Sequence, residues 1–518
     1  MLKTESYKKG IIISTGLNFF AKGIAFLNIV AITHFFGTQT STDIYFFVLS
    51  VAMIISTTIN GVDLLVLIPE SMKLREQEGE SSSRLFLNFF FWLYIFIGAF
   101  LCILILVSPV LFFNIFSKFE TEKLYQYKEL LYAGSVIIFF QLINSFLTSV
   151  LTSYKYFSIA IFTSLLNSIL CILLTVTLHK QLGINGTMIG LAAGYLLNFL
   201  LLVLVLKVKL NWDFFHVKKM RNKIVWQNIG LMQINILPLW LRNYIGLYLL
   251  SGLPGVVTSL NLGQQLSAVP ELLLTSQLLT VAGIKFNELN GTKKAEEANE
   301  VFLKTIFMGI TITLSMAVFF ILFSKSIVTL GYLKTITSEK SLLETTLVFS
   351  VLAISLPVKL IAGISTSMLT SFQKIKSIIS VSATVHVVVT ILMIVLIKKM
   401  GLLGYLIGIN VHYFLFLFLF YPLFRRTLTF VNYKMVLIHF AKDLLLNGLC
   451  ATTMFFLLMS TINGIDNLIL RLLTGFVSYL VLYFLFNHFL KLNSQADIKG
   501  IFNYVNNTIF QRKTAEGN

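Results

Sequence analysis

Several side chains that could carry charge or bind a polar group lie inside long apolar runs: Lys22, Asn28, Asp43, Asp63, Arg242, Gln265, Glu271 and Lys359. A charged residue at the centre of a membrane helix costs about 2.5–3.5 kcal/mol on insertion scales, so it tends to face a wet or protein-lined interior. At 1.5 Å per residue, Lys22 lies about 17 Å along the first run, near its middle. Lys359 is similarly central in the tenth run, and Arg242 lies in the outer half of the seventh. Cations so placed suit a bound anion; the plainer alternative is that each snorkels or pairs with a neighbouring carbonyl. Asp43 opens the second run beside Ser41 and Thr42, where it can cap a helix. Asp63 and Glu271 are deeper. An acid there can exchange a proton, hold a cation, or pair with Lys or Arg, and the sequence leaves these open. His386 reads as a packing residue, while Lys442 and Arg471 are near enough to run ends to snorkel.

Nothing in the sequence resembles a catalytic centre. It has no phosphate-binding glycine loop, no metal-spaced His and Cys set, and no nucleophile near a base. No enzyme activity, metal or cofactor is expected. Coupling to the membrane potential or to a sodium or proton gradient stays open.

The runs that hold these residues dominate the chain. Of 518 residues 57% are hydrophobic and 12% charged, and the mean hydropathy is +0.85. Water-soluble domains carry roughly 25% charged residues. This excludes a soluble enzyme, a disordered protein and a disulfide scaffold. Cys102, Cys171 and Cys450 each sit within an apolar run, with no spacing for a disulfide or metal framework. The basic first residues lead into an apolar segment without an obvious cleavage site, which reads as a retained first span.

About fourteen runs are long enough to cross a bilayer as helices. They lie near 11–35, 44–69, 85–116, 130–152, 157–179, 186–206, 226–251, 257–284, 302–324, 343–370, 377–397, 402–424, 436–460 and 467–490. An even number puts both termini on one side. Alternate loops and the tails collect about 25 basic residues, the densest group being Lys207, Lys209, Lys218, Lys219, Arg221 and Lys223, against about nine in the other loops. The expected topology is N-in and C-in. The net charge of +18 is spread between the runs, so its partner is the anionic inner leaflet rather than nucleic acid.

An internal repeat organises the runs. Leu151-Thr-Ser-Tyr154 recurs as Leu369-Thr-Ser-Phe372, and Gly183-Ile-Asn-Gly186 recurs as Gly401-Leu-Leu-Gly404, both at one and the same offset. The offset lays runs 4–6 on runs 10–12, so two six-helix lobes share one orientation, a parallel repeat whose halves can rock around a crevice. The expected division is a lobe at 1–206, a cytoplasmic linker at 207–225, a second lobe at 226–424, and a helix pair with its tail at 425–518.

The segment Lys22 to Asp63, with Phe36-Gly37, Thr42-Asp43-Ile44-Tyr45-Phe46-Phe47 and Asn60-Gly61, resembles the first helix pair of the lipid II flippase (MurJ, mouse virulence factor) family. That family belongs to the multidrug/oligosaccharidyl-lipid/polysaccharide exporter superfamily. The resemblance implies fourteen helices, two lobes around a cationic cavity, and an added helix pair that holds a polyprenyl tail. Lys22 falls where the family has a cavity arginine, Asp43 on its acid at the start of helix 2, and Lys359 on a basic position of helix 10. The chain departs from the pattern at Asn28, Thr57, Thr58, Gln264 and Gln265, where the family carries charges, and Arg242 is a candidate to restore one.

The expected function is therefore a flippase in the bacterial inner membrane, acting as a monomer near polysaccharide-synthesis enzymes. Its cargo is an undecaprenyl-diphosphate-linked saccharide, with an O-antigen or capsule unit favoured by the departures. Lys22, Lys359 and Arg242 would meet the diphosphate, and Asn18, Asn28 and Gln265 the sugar; Asp43, Asp63 and Glu271 are candidates for gating or coupling. A cation-coupled drug antiporter would need acids at the cavity centre. A membrane glycan polymerase or ligase would usually need a large outer loop.

Overall fold

Backbone N–H and C=O groups find no water in hydrocarbon, so an apolar run that enters it must close its own hydrogen bonds as a helix. The computed structural model describes residues 7–217 and 223–490, and every regular element in them is helical. The first half contains α1 (Tyr7–Phe36), α2 (Thr40–Val62), α3 (Ile68–Gln77), α4 (Glu80–Val107), α5 (Pro109–Phe116), α6 (Thr121–Gln126), α7 (Lys128–Ser153), α8 (Phe157–Leu182) and α9 (Ile184–Leu210). There follow α10 (Lys223–Leu250), α11 (Val256–Pro270), α12 (Ser276–Gly291), α13 (Ala295–Leu322), α14 (Ser324–Gly331), α15 (Glu339–Ile354) and α16 (Leu356–Ser371). The last are α17 (Ile375–Met400), α18 (Leu402–Thr427), α19 (Tyr433–Thr453), α20 (Met459–Asn463) and α21 (Leu468–Leu490).

Among the described residues eleven helices are long and apolar enough to cross a membrane, and a twelfth span results if α15 and α16, which meet at 44°, count as one. The two other expected runs are helical but more polar. One is α10, which contains Pro238 and Arg242; the other is α11 continued into α12 through a π turn at Glu271–Thr275. A matching π turn, Asp63–Leu67, joins α2 to α3.

The repeat is visible in the helix ends. α17 starts and stops at the same offset from α8 that the repeated strings show. The left-handed residues that follow α7 and α16, Lys155 (φ 64°) and Gln373 (φ 58°), share this offset, as do Gly183 (φ 56°) and Gly401 (φ 55°) before α9 and α18. One local geometry has been used twice.

By contacts the chain divides into two compact units. One is residues 1–261 with 335–341 and 397–402; the other is 262–334 with 342–396 and 403–518. This differs from the expected boundary, because α10 joins the first unit. It packs on α2 closely enough that a Cβ on Gly61 would meet Ile236 Cδ1 at 2.8 Å. The stretch expected as a linker, 207–225, is partly structured. α9 continues to Leu210, and the chain after it is bonded to α4; residues 218–222, with Lys218, Lys219 and Arg221, lie outside the described ones.

In the first unit α2, α4 and α9 gather around α7, and α8 packs on α9 and on α1. Ile44, Tyr45, Phe47, Phe113 and Leu131 are buried together there. In the second unit α12, α16 and α19 pack on α13, and α21 packs on α14 and α19. The C-terminal helices are keyed to α13 and α14 by polar and close apolar contacts. Thr311 donates to Asp443 Oδ2 (2.5 Å), and Ser315 to Asn447 Oδ1 (3.0 Å). A Cβ on Gly475 would stand 2.3 Å from Phe323 Cζ.

The repeat also yields a matched pair of glycines. A Cβ on Gly190 would meet Leu174 Cβ at 2.8 Å, close to that neighbour's backbone, whereas one on Gly408, its counterpart in the second copy, would meet Met393 Cε and Cγ at 3.2 Å and its Cβ at 3.3 Å. The contact at Gly408 is the looser one, and most of the methionine side chain can yield. Gly190→Ala should destabilise by about 1–3 kcal/mol, whereas Gly408→Ala should cost clearly less, with part of the strain offset by reduced chain entropy. Thermal unfolding of the two variants in detergent checks this, and equal melting temperatures would contradict it.

Candidate functional site

Two of the sequence-selected residues meet in the second unit, at irregular points of their helices. Ser355 separates α15 from α16, and Pro357 stands in the first turn of α16, where its missing N–H is harmless. Lys359 follows within that turn, its N–H bonded to the Ser355 carbonyl (2.8 Å). Glu271 is the first residue of the π turn after Pro270. The Lys359 ammonium donates to Glu271 Oε2 at 3.1 Å and lies 5.3 Å from the centre of the Tyr413 ring. The lysine side chain is 18% exposed and the carboxylate 43%. Lys359 is thus a compensated cation in a partly open setting, and of the readings open to Glu271 the structure shows pairing. Gln265 lies half-buried on α11, six residues before Glu271.

In the first unit Asp43 is fully buried, but it does not cap its own helix. That end is closed by Thr42, whose hydroxyl accepts the Gln39 N–H (2.8 Å). The Asp43 carboxylate instead accepts the N–H groups of Gly255 (2.5 Å) and Thr258 (2.8 Å) and the Thr258 hydroxyl (2.7 Å). These are the orphan donors at the start of α11, and an anion there is also favoured by the helix dipole. Gly255 has φ +82°, a conformation that suits glycine.

Asp63 opens the other π turn and is fully buried. Oδ1 accepts the Tyr94 hydroxyl at 2.8 Å, while Oδ2 has no hydrogen-bond partner among the described residues. π turns in helices are frequent at functional sites, and a buried carboxylate oxygen without a protein partner can take a water, a proton or a cation.

The remaining candidates divide. Lys22 is exposed on α1, and Arg242 is buried on α10 with Nε and a terminal nitrogen donating to Asn243 Oδ1 (3.3 and 3.1 Å). The amide of Asn28, expected to meet the sugar, is engaged in the interface of α1 and α8, donating to Cys171 Sγ (3.3 Å) and accepting from Thr175 (3.2 Å). The side chain of Asn18 lies outside the described ones.

Sequence reasoning missed the stripe His439, Asp443 and Asn447 on α19, which faces Thr311 and Ser315 of α13. Its four-residue spacing, one face of a helix, was the available signal. His386, read as a packing residue, is buried and stacks on buried His412 with ring centres 4.6 Å apart; His412 itself was missed.

The cap gives a direct test. Asp43→Ala should leave the Gly255 and Thr258 amides without an acceptor and destabilise by about 1–3 kcal/mol, with Asp43→Asn losing less. Melting temperatures in detergent report the loss, and an unchanged value for the alanine variant would show that the cap contributes nothing.

Comparison with known proteins now gives these residues a context. The family model described as Lipid II flippase MurJ matches residues 32–475. The fold is similar to that of a solved lipid II flippase MurJ in an inward closed conformation, with TM-score 0.71, 19% identity, and coverage of 93% of this chain and 100% of that one. It is also similar to an inward-facing multidrug resistance MATE family transporter of the MOP superfamily (TM-score 0.56, 16% identity, 84% of this chain and 95% of that one). A MOP superfamily transporter from Pyrococcus furiosus gives TM-score 0.54 at 15% identity, over 86% of this chain and 96% of that one. At these identities the structural likeness shows the fold alone. A search of curated proteins found no match. The apolar helices together with the family model indicate a bacterial inner-membrane protein, and the family is one of lipid transporters, which sets aside the polymerase or ligase reading. With the model matching most of its length, the chain belongs to the lipid II flippase MurJ family.

Proposed function

We propose that the protein moves an undecaprenyl-diphosphate-linked saccharide from the inner to the outer leaflet by alternating access, with no covalent step. The observation that carries this reading is the family match over residues 32–475. The Lys359–Glu271 pair supports it chemically. A diphosphate entering a partly dry site competes with Glu271 for the ammonium, and it offers more negative charge than one carboxylate. When cargo leaves, Glu271 takes the lysine back, so the cation is never left without compensation. Lys22, Arg242 and Gln265 are further contacts in this reading. Asp63 is the coupling acid, where a proton or sodium ion would satisfy Oδ2.

The same reading has fourteen spans, with α10 and the α11–α12 helix crossing beside the more apolar ones. Both termini lie inside, as the distribution of basic loops favours. The protein acts as a monomer. Single cysteines at Thr292 and Thr337, probed in intact cells with a membrane-impermeant thiol reagent, should label at 337 and not at 292; the reverse pattern would invert the topology.

Flipping is tested in vesicles with labelled lipid II and, separately, a labelled undecaprenyl-diphosphate oligosaccharide, by following head-group crossing. Lys359→Ala should slow crossing by about tenfold or more, the scale of a lost charge-assisted bond, while Lys359→Arg retains most of it. Asp63→Asn should remove any response to imposed sodium or proton gradients while leaving insertion intact. Failure of both head groups to cross in wild-type vesicles would sink the flippase reading, and normal crossing by Lys359→Ala would remove the lysine from the cargo site.

A further inference from the structure

The chain leaving α9 is pinned against α4. Asn211 takes the left-handed conformation (φ 46°), and the next residues fold back. Asn88 donates to the carbonyls of Asp213 (2.6 Å) and His216 (2.8 Å), and Trp92 Nε1 donates to that of Phe214 (2.7 Å). Trp212 Nε1 returns a bond to Asn88 Oδ1 (2.7 Å). These bonds satisfy backbone carbonyls that a free loop would leave to water, and they fix the aromatic side chains of the segment.

The pinned segment, α4 and α9 enclose a groove of about 600 Å³, within the range of ligand pockets. Its walls are Phe91, Trp92, Ile95, Phe199 and Val203, with Phe215 at the rim and Lys207 at the mouth. Phe215 is 81% exposed, which is costly for a phenyl ring in water but natural for one against lipid. Indole rings with an apolar body and a bonded N–H are typical of the membrane interface. In the sequence this segment is one-sided in charge. Six basic residues fall between Lys207 and Lys223, and Asp213 is the lone acid among them. Its carboxylate accepts the Phe215 N–H (3.0 Å) and is engaged by the His216 ring, so it is already occupied by partners of its own.

We propose that this groove binds an anionic phospholipid, with an acyl chain along Phe91, Ile95 and Val203 and the head-group phosphate at Lys207. The site lies wholly in the first unit and is separate from the residues assigned to cargo. Assignment to the inner leaflet rests on the orientation proposed above; vesicles with the same lipids in both leaflets make the test independent of that orientation and of transport.

The chain has four tryptophans, at 92, 212, 226 and 240. In a Trp226→Phe, Trp240→Phe background the remaining two report on the groove. Full-length protein is reconstituted in phosphatidylcholine vesicles containing either brominated phosphatidylglycerol or brominated phosphatidylcholine at the same fraction. Brominated phosphatidylglycerol should quench as if enriched about fivefold, the scale expected for one lysine at an anionic surface. Lys207→Gln should abolish the excess, and Val203→Trp, which fills the groove, should shield the site; for the latter the emission of the added indole is subtracted using unbrominated vesicles. Lys399→Gln, a charge change elsewhere, should leave the excess intact. Equal quenching by the two lipids, or an excess that survives Lys207→Gln in protein of normal elution and helicity, would overturn the proposal. So would loss of the excess when phosphate replaces chloride at equal ionic strength, since that would assign the lysine to a free anion.

Discussion

A backbone amide without a partner in hydrocarbon costs several kcal/mol, so every interruption of a helix in this fold has to be answered locally. Glu271, Lys359 and Asp63 stand at those interruptions. Pro270 cannot donate a hydrogen bond, and Glu271 begins the π turn that absorbs the irregularity. Ahead of Pro357 the Ser355 hydroxyl bonds the Leu352 carbonyl, and the Lys359 N–H bonds Ser355 in turn. Asp63 opens the turn that carries α2 into α3. A continuous helix uses up its backbone groups, whereas a break frees them and makes room for a charge, so ionisable side chains and irregular backbone occur together.

Much of the architecture was legible because hydrophobic length is a coarse, additive signal. The shared offset, read from short strings such as Leu151-Thr-Ser-Tyr154, is matched by helix ends and by left-handed Lys155 and Gln373. The boundary between units was not legible. Whether α10 groups with what precedes or follows it depends on contacts such as Gly61 with Ile236, and these leave no mark in composition.

The site was legible as a set of residues but not as a set of partners. Lys359 and Glu271 were each singled out, yet 88 residues separate them and only folding shows that each neutralises the other. Asn28 looked like the remnant of a charged cavity position, but an amide also suits a helix interface, where Cys171 and Thr175 use it. Asp43 was read as a cap for the adjacent helix. It caps a distant one because Thr42 had already closed the local end. Polar side chains in membrane helices thus serve two purposes that look alike in one dimension, joining helices and meeting solutes.

The bond from Asp43 to the start of α11 has a mechanical meaning. The carboxylate and the amides it holds are far apart in the chain, and the three hydrogen bonds share one anionic group. They therefore let go together rather than one by one. A tilt of α11 that lifts its first turn away from α2 would meet no graded resistance there; it would meet a threshold, with one carboxylate setting how large a push is needed before the two helices part.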